Sequence, residues 1–168
     1  MRLPITNRKS LPTTHWKRLY AIAWAIWLID LATKSWALTA LDPRSPVKLI
    51  GSFLQLTLLK NSGAAFSLAQ GATVIFTFFA LLVIGAIGYF APKITSKGWS
   101  VVLGLALGGI LGNLTDRIFR SPGFFTGHVI DWIQVPHWPV FNLADSAIVV
   151  AASIAVVLSI RNISPMGA

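Results

Sequence analysis

Residues 108–145 read GGILGNLTDRIFRSPGFFTGHVIDWIQVPHWPVFNLAD, and they hold Asp116, Asp131 and Asp145, three of the five acidic residues in the chain. The stretch begins inside an apolar helical run and leaves it through a segment broken by Pro122-Gly123, Gly127, Pro136 and Pro139, which are turn residues. It then re-enters apolar sequence with Asp145 just inside the next helix. Such a path carries carboxylates to one surface of a membrane, and the remaining segments read as the frame that holds them there.

The composition sets the class. With 168 residues and 55% hydrophobic side chains, the chain is too apolar for a soluble domain of that size, as its mean hydropathy of +0.70 also indicates. A single membrane domain over 1–168 is expected. There is no cysteine and no glutamate, which removes disulfide scaffolds, thiol catalysis and thiolate metal sites. The net charge of +9 suggests nucleic acid at first sight, but the basic residues are scattered among loop ends, so no nucleic-acid partner is expected. Arg8, Lys9, Lys17 and Arg18 ahead of an apolar run mimic a secretory signal. Asp30 and Lys34 at the end of that run, and three further apolar spans, favour a first membrane helix behind a cytoplasmic tail at 1–18.

A hydrocarbon core about 30 Å thick needs about 20 apolar residues of helix. Four segments qualify, at about 19–40, 72–91, 99–115 and 141–160. Arg2, Arg8, Lys9, Lys17, Arg18, Lys93, Lys97 and Arg161 fall on one side, against Arg44, Lys48, Lys60, Arg117 and Arg120 on the other. The excess puts both termini in the cytoplasm and the loops 41–71 and 116–140 outside. In the first outer loop, Phe53-Leu-Gln-Leu-Thr-Leu58 alternates as a strand would, and Lys60 to Phe66 reads as a turn with Asn61 and Gly63 in unusual backbone geometry. The expected fold is therefore an all-α integral membrane protein with four transmembrane helices and a small extracytoplasmic β-containing segment between helices 1 and 2. Gly104, Gly108 and Gly112 repeat every four residues, as do Ala147, Ala151 and Ala155 behind Ala144, and these stripes predict close packing of helix 3 on helix 4.

Ionisable groups inside a membrane span are costly, so each is a functional candidate. Asp30 and Lys34 are an i,i+4 pair, about 20 Å up the first helix from its basic end; they read either as a neutralising pair or as groups that shape a site. Asn113, Asp116 and Arg117 share the outer end of helix 3, where Arg117 can pair with Asp116 or meet lipid phosphate. Asp131 and Asp145 are separated by a loop with two prolines, and a loop that folds back would bring them together. Two close carboxylates share one proton, and such a pair can activate water with one member and protonate a substrate with the other. Metal binding through His128 and Asp131 is a weaker alternative, having no recognisable ligand spacing. A serine nucleophile at Ser35 or Ser62 with Lys34 or Lys60 as base is weaker still.

The blocks Asp30-Leu-Ala-Thr-Lys34, Asn61-Ser-Gly-Ala-Ala-Phe66, Gly108 to Arg117, Val129-Ile-Asp131 and Phe141-Asn-Leu-Ala-Asp145, in this order on four spans, resemble those of lipoprotein signal peptidase, the bacterial type II signal peptidase. The resemblance implies an intramembrane aspartyl endopeptidase of the bacterial cytoplasmic (inner) membrane. Its substrate would be a diacylglyceryl-modified prolipoprotein, cut before the lipidated cysteine, with Asp131 and Asp145 as the catalytic dyad. Asp30, Lys34, Asn61, Gly63, Gly108, Asn113, Asp116, Arg117, Asn142 and Ala144 would organise the site or bind substrate. The resemblance further implies contact with membrane lipid, inhibition by globomycin-type cyclic peptides, and no cofactor or metal. Leu31 stands where the family commonly has glutamine, and Trp132 where phenylalanine is usual. Two other function classes remain in view. A proton-coupled transporter would use Asp30 and Asp145 as a relay, but it expects a carboxylate near the bilayer midplane. A non-catalytic lipid-binding or assembly factor leaves the two aspartates without a purpose.

Overall fold

The computed structural model describes residues 13–63 and 71–167. Four helices carry the fold: α1 (Trp16–Ala40), α2 (Gly71–Phe90), α3 (Lys97–Phe119) and α4 (Leu143–Ile160). All four are long and apolar enough to cross a membrane. Exposed Leu28, Phe78, Leu82, Val149 and Val156 give them an apolar outer surface, which suits lipid rather than water. Pro92 cannot extend a helix beyond its first turn, and α2 gives way to a short 3-10 turn, Ala91–Lys93. Ser96 then opens α3 by accepting the Trp99 N–H, and Asn142 opens α4 by accepting the Asp145 N–H.

The segments between α1 and α2 and between α3 and α4 form a three-stranded antiparallel sheet in the order β1-β2-β3, from β1 (Val47–Ile50), β2 (Leu54–Asn61) and β3 (Val129–Gln134). The first two strands form a hairpin between α1 and α2, turning at Gly51, whose φ of 52° suits a residue without Cβ. The third comes from the loop between α3 and α4, where the sequence reading placed no strand. Val129-Ile-Asp-Trp-Ile-Gln134 is rich in β-branched and aromatic residues but does not alternate, and only its pairing with β2 makes it a strand. Asn61 is the last residue of β2, paired with Val129, and its backbone is extended rather than turned. Gly63 does take the left-handed conformation, with φ 86°. The rest of the expected turn, 64–66, and residues 1–12 of the expected tail lie outside the described residues.

The helix α3 is the centre of the bundle, packed extensively on α1 and α4 and only lightly on α2. The glycine stripe faces a different neighbour from the one expected. A Cβ at Gly104 would meet Leu19 O and Ile22, and one at Gly108 would meet Ala23 O and Ile26, so both glycines seat α1. The approach to α4 is made by Gly109, against Ala144 O and Ile148, and by Gly112, which touches both Asp30 of α1 and the Ala144 methyl of α4. On α4, Ala144, Ala147 and Ala151 are buried as expected for a packing stripe. The periodicity showed which residues line a groove, but not which helix fills it.

Candidate active site

The sheet, the C-terminal end of α3 and the N-terminal end of α4 bring the polar residues together. Asp131 leaves the middle of β3 and is almost completely buried. Asp145 sits in the first turn of α4 in a capping box: its Oδ2 accepts the Asn142 N–H at 3.2 Å, while Asn142 Oδ1 accepts the Asp145 N–H at 2.9 Å. The free N–H groups of a helix start meet negative charge there. Asn142 joins the two aspartates, because its Nδ2 donates to Asp131 Oδ1 at 2.6 Å and to Asn113 Oδ1 at 3.2 Å. Asn113 Nδ2 in turn donates to Asp145 Oδ1 at 2.7 Å.

The orientation of these amides follows from Lys34, which can only donate. Its Nζ reaches Asn113 Oδ1 at 2.9 Å, so the Asn113 amide nitrogen must face Asp145. The same ammonium lies 2.7 Å from Asp30 Oδ2 and 2.9 Å from Asp116 Oδ2, with all three side chains buried. Arg120 completes the quartet by pairing with Asp116 Oδ1. Two carboxylates and two cations thus cancel inside the protein, as buried charges must. Asp30 Oδ1 also accepts the Ala144 N–H at 2.9 Å, satisfying another donor of the α4 start. A Cβ at Gly112 would run into the Asp30 carboxylate and meet the Ala144 methyl, so this close contact requires glycine.

Asn61 approaches Asp131 from the other side, with Nδ2 donating to Asp131 Oδ2 at 2.9 Å. Its Oδ1 accepts the Gly63 N–H at 2.8 Å, which fixes the amide with its nitrogen toward the carboxylate. Arg117 does not pair with Asp116, as the sequence had suggested. Its Nη1 donates to Asn61 O at 3.2 Å and Gly127 O at 3.1 Å, tying β2 to the loop before β3. The Asp116 partner is Arg120, four residues along, a spacing that would have revealed it.

Asp131 and Asp145 line one cavity of about 310 Å³ with Asn61, Asn113 and Arg117, under an apolar wall that includes Phe76 and Ile148. Burial raises the Asp131 carboxyl from its ordinary 3.8 to about 6; the Asp145 charge pushes the same way, against the Asn61 and Asn142 donors and Lys34. Of the other expected residues, Gly108 lies in the α1 contact rather than at the cavity. His128 lines a separate cavity on the flank of the sheet, so it does not join Asp131 as a metal ligand. Among the described residues no three histidine or aspartate side chains converge as a metal site would need.

The family described as signal peptidase (SPase) II matches residues 22–161. A Streptomyces coelicolor protein named lipoprotein signal peptidase is 46% identical over 149 residues, covering 89% of this chain and 73% of that one. A Rhodococcus jostii protein of the same name is 45% identical over 158 residues, covering 93% and 80%. Among solved structures, a bacterial membrane enzyme determined by the in meso method at 2.3 Å resolution superposes with a TM-score of 0.79 at 25% identity, covering 92% of this chain and 94% of the other.

Proposed function

The chain belongs to the signal peptidase II family, whose members remove signal peptides from lipoproteins, and from that premise we propose that Asp131 and Asp145 do the cutting as an aspartyl dyad. The observation that carries this reading is the single amide of Asn142, which touches Asp131 directly and holds Asp145 through both its backbone and side chain. The pair carries one proton, assigned to Asp131, whose ionisation is disfavoured by burial. Asp145 takes a proton from water as the oxygen attacks the scissile carbonyl, and Asp131 gives its proton to the carbonyl oxygen. Collapse of the tetrahedral diol breaks the C–N bond as one diol hydroxyl returns its proton to Asp131 and the proton held by Asp145 passes to the leaving amine, which restores the starting dyad.

The substrate is a prolipoprotein carrying diacylglyceryl on its cysteine, cut on the N-terminal side of that residue. Such a substrate places its signal helix in the bilayer and its acyl chains in the outer leaflet. The dyad lies near the outer face, with both termini of the enzyme in the cytoplasm. Since α2 packs chiefly on α3, the cavity flank between α2 and α4 is the route by which a helix in the membrane reaches the dyad. The exposed apolar hairpin, with Val47, Leu49, Ile50 and Phe53 at its surface, lies against the lipid headgroups. Asn61, Asn113 and Asn142 orient the dyad, Gly63 sets Asn61, and Asp30, Lys34, Asp116 and Arg117 hold the elements that carry them. Globomycin-type cyclic peptides compete for the same cavity.

Cleavage of a purified diacylglyceryl-modified prolipoprotein tests this directly. Asp131→Asn and Asp145→Asn, each verified as folded, are expected to lose on the order of 10³-fold or more in rate while still binding substrate. Folded variants that still cut would remove the aspartyl mechanism.

A further inference from the structure

A second cavity, also about 310 Å³, opens on the flank of the sheet at the outer ends of α1 and α3, where Lys60, Arg120, Ser121 and His128 meet Leu38 and Phe119. The fold assembles it deliberately from distant segments. Pairing of Lys60 with Ile130 sets β2 beside β3, and the His128 N–H donates to Ser121 O at 3.0 Å, closing the loop so that serine and histidine stand together. Lys60 is exposed and has no carboxylate partner among the described residues. Arg120 engages Asp116 through Nε, which leaves its two terminal nitrogens as donors at the partly exposed end of the side chain. Among the described residues no acidic side chain lines the cavity.

We propose that this cavity binds the phosphodiester of a bilayer phospholipid, at a site separate from the peptidase cavity. A phosphodiester is a monoanion rich in acceptors, matched by a guanidinium fork, an ammonium, a hydroxyl and an imidazole N–H. The depth is right, because the Trp36–Trp132 edge-to-face pair and Phe119, 80% exposed, mark the interfacial level at which headgroup phosphates lie. Leu38 and Phe119 supply an apolar wall for the glycerol and upper acyl carbons, which free inorganic phosphate has no use for. A bound lipid braces Arg120 and, through it, Asp116, whose Oδ2 accepts the Ile130 N–H at 3.1 Å beside Asp131.

Native mass spectrometry of the purified full chain, titrated in detergent with phosphatidylglycerol, tests the assignment. Wild type is expected to retain one phospholipid, and the Lys60→Gln/His128→Gln double variant to bind it about tenfold more weakly. Lys48→Gln, which removes the same charge elsewhere on the outer hairpin, is expected to bind as wild type does. The proposal is overturned if wild type retains no phospholipid, if the double variant binds as tightly as wild type, or if Lys48→Gln weakens binding equally. Displacement of the lipid by millimolar inorganic phosphate would instead identify a free-anion site and overturn the lipid assignment.

Discussion

If Asp131 carries the shared proton, its titration sets the pH at which cleavage fails, and Asn61 controls where that falls. The Asn61 amide donates to Asp131 at 2.9 Å and favours the ionised carboxylate. Replacing it by leucine, close in volume and without a donor, removes one charge-assisted hydrogen bond of about 1.5–3 kcal/mol. At 1.36 kcal/mol per pH unit that corresponds to a shift of about one to two units. The direction is upward, since the ionised form loses support and the proton is held more tightly. In wild type, kcat/KM for a synthetic diacylglyceryl lipopeptide should fall as pH rises through about 6, the value set by burial of Asp131. In Asn61→Leu the same limb should lie at about 7 to 8. An alkaline limb that stays in place, or moves down, in a variant that remains folded would refute the assignment of the acid to Asp131.

Other consequences follow from the same geometry. Lys34→Met strands Asp30 in the interior and leaves Asp116 with Arg120 alone, and should cost about 3–5 kcal/mol in thermal or denaturant unfolding, with part of the loss recovered by adding Asp30→Asn. Gly112→Ala should lower stability by about 1–3 kcal/mol through the clash with Asp30. In contrast, Gly85→Ala, whose Cβ would meet nothing within 4 Å, should be neutral or slightly stabilising; equal effects of the two would discredit the packing argument. Because burial raises Asp131 from 3.8 to about 6, its contribution to stability is present below pH 3.8 and is lost as pH rises through 6. This amounts to about 3 kcal/mol at most, so unfolding followed from pH 4 to 7 should show wild type weakening over that window; a contribution that grows with pH would contradict the burial.

Much of the site was legible because its spacing is local. Asp30 and Lys34 are four residues apart on a helix and do pair, and Asn142 stands three residues before Asp145, the spacing of a helix cap. Asp131 and Asp145 were paired by chemistry and resemblance, since fourteen residues of loop give no geometry by themselves. What escaped depended on rotation and on long-range pairing. Helix phase does not reveal that Gly104 and Gly108 face α1 while Gly109 faces α4. Arg117 and Arg120 are equally placed to meet Asp116 by sequence distance, at i+1 and i+4, only if side-chain direction is ignored; the i,i+4 partner wins. β3 was missed because a six-residue strand needs β2 beside it to exist at all.

The buried charge quartet also bears on how the protein enters its membrane. Asp30–Lys34 lies within α1, and Asp116 in the last turn of α3 pairs with Arg120 at its C-cap, each pair one turn apart. A lone carboxylate in a nascent helix would cost about 2.5–3.5 kcal/mol on insertion. Here each buried carboxylate has a counterion one turn along its own segment, so neither Asp30 nor Asp116 is a lone charge before α1 and α3 meet. The contact of Lys34 with Asp116 joins the two helices and can form only once they dock.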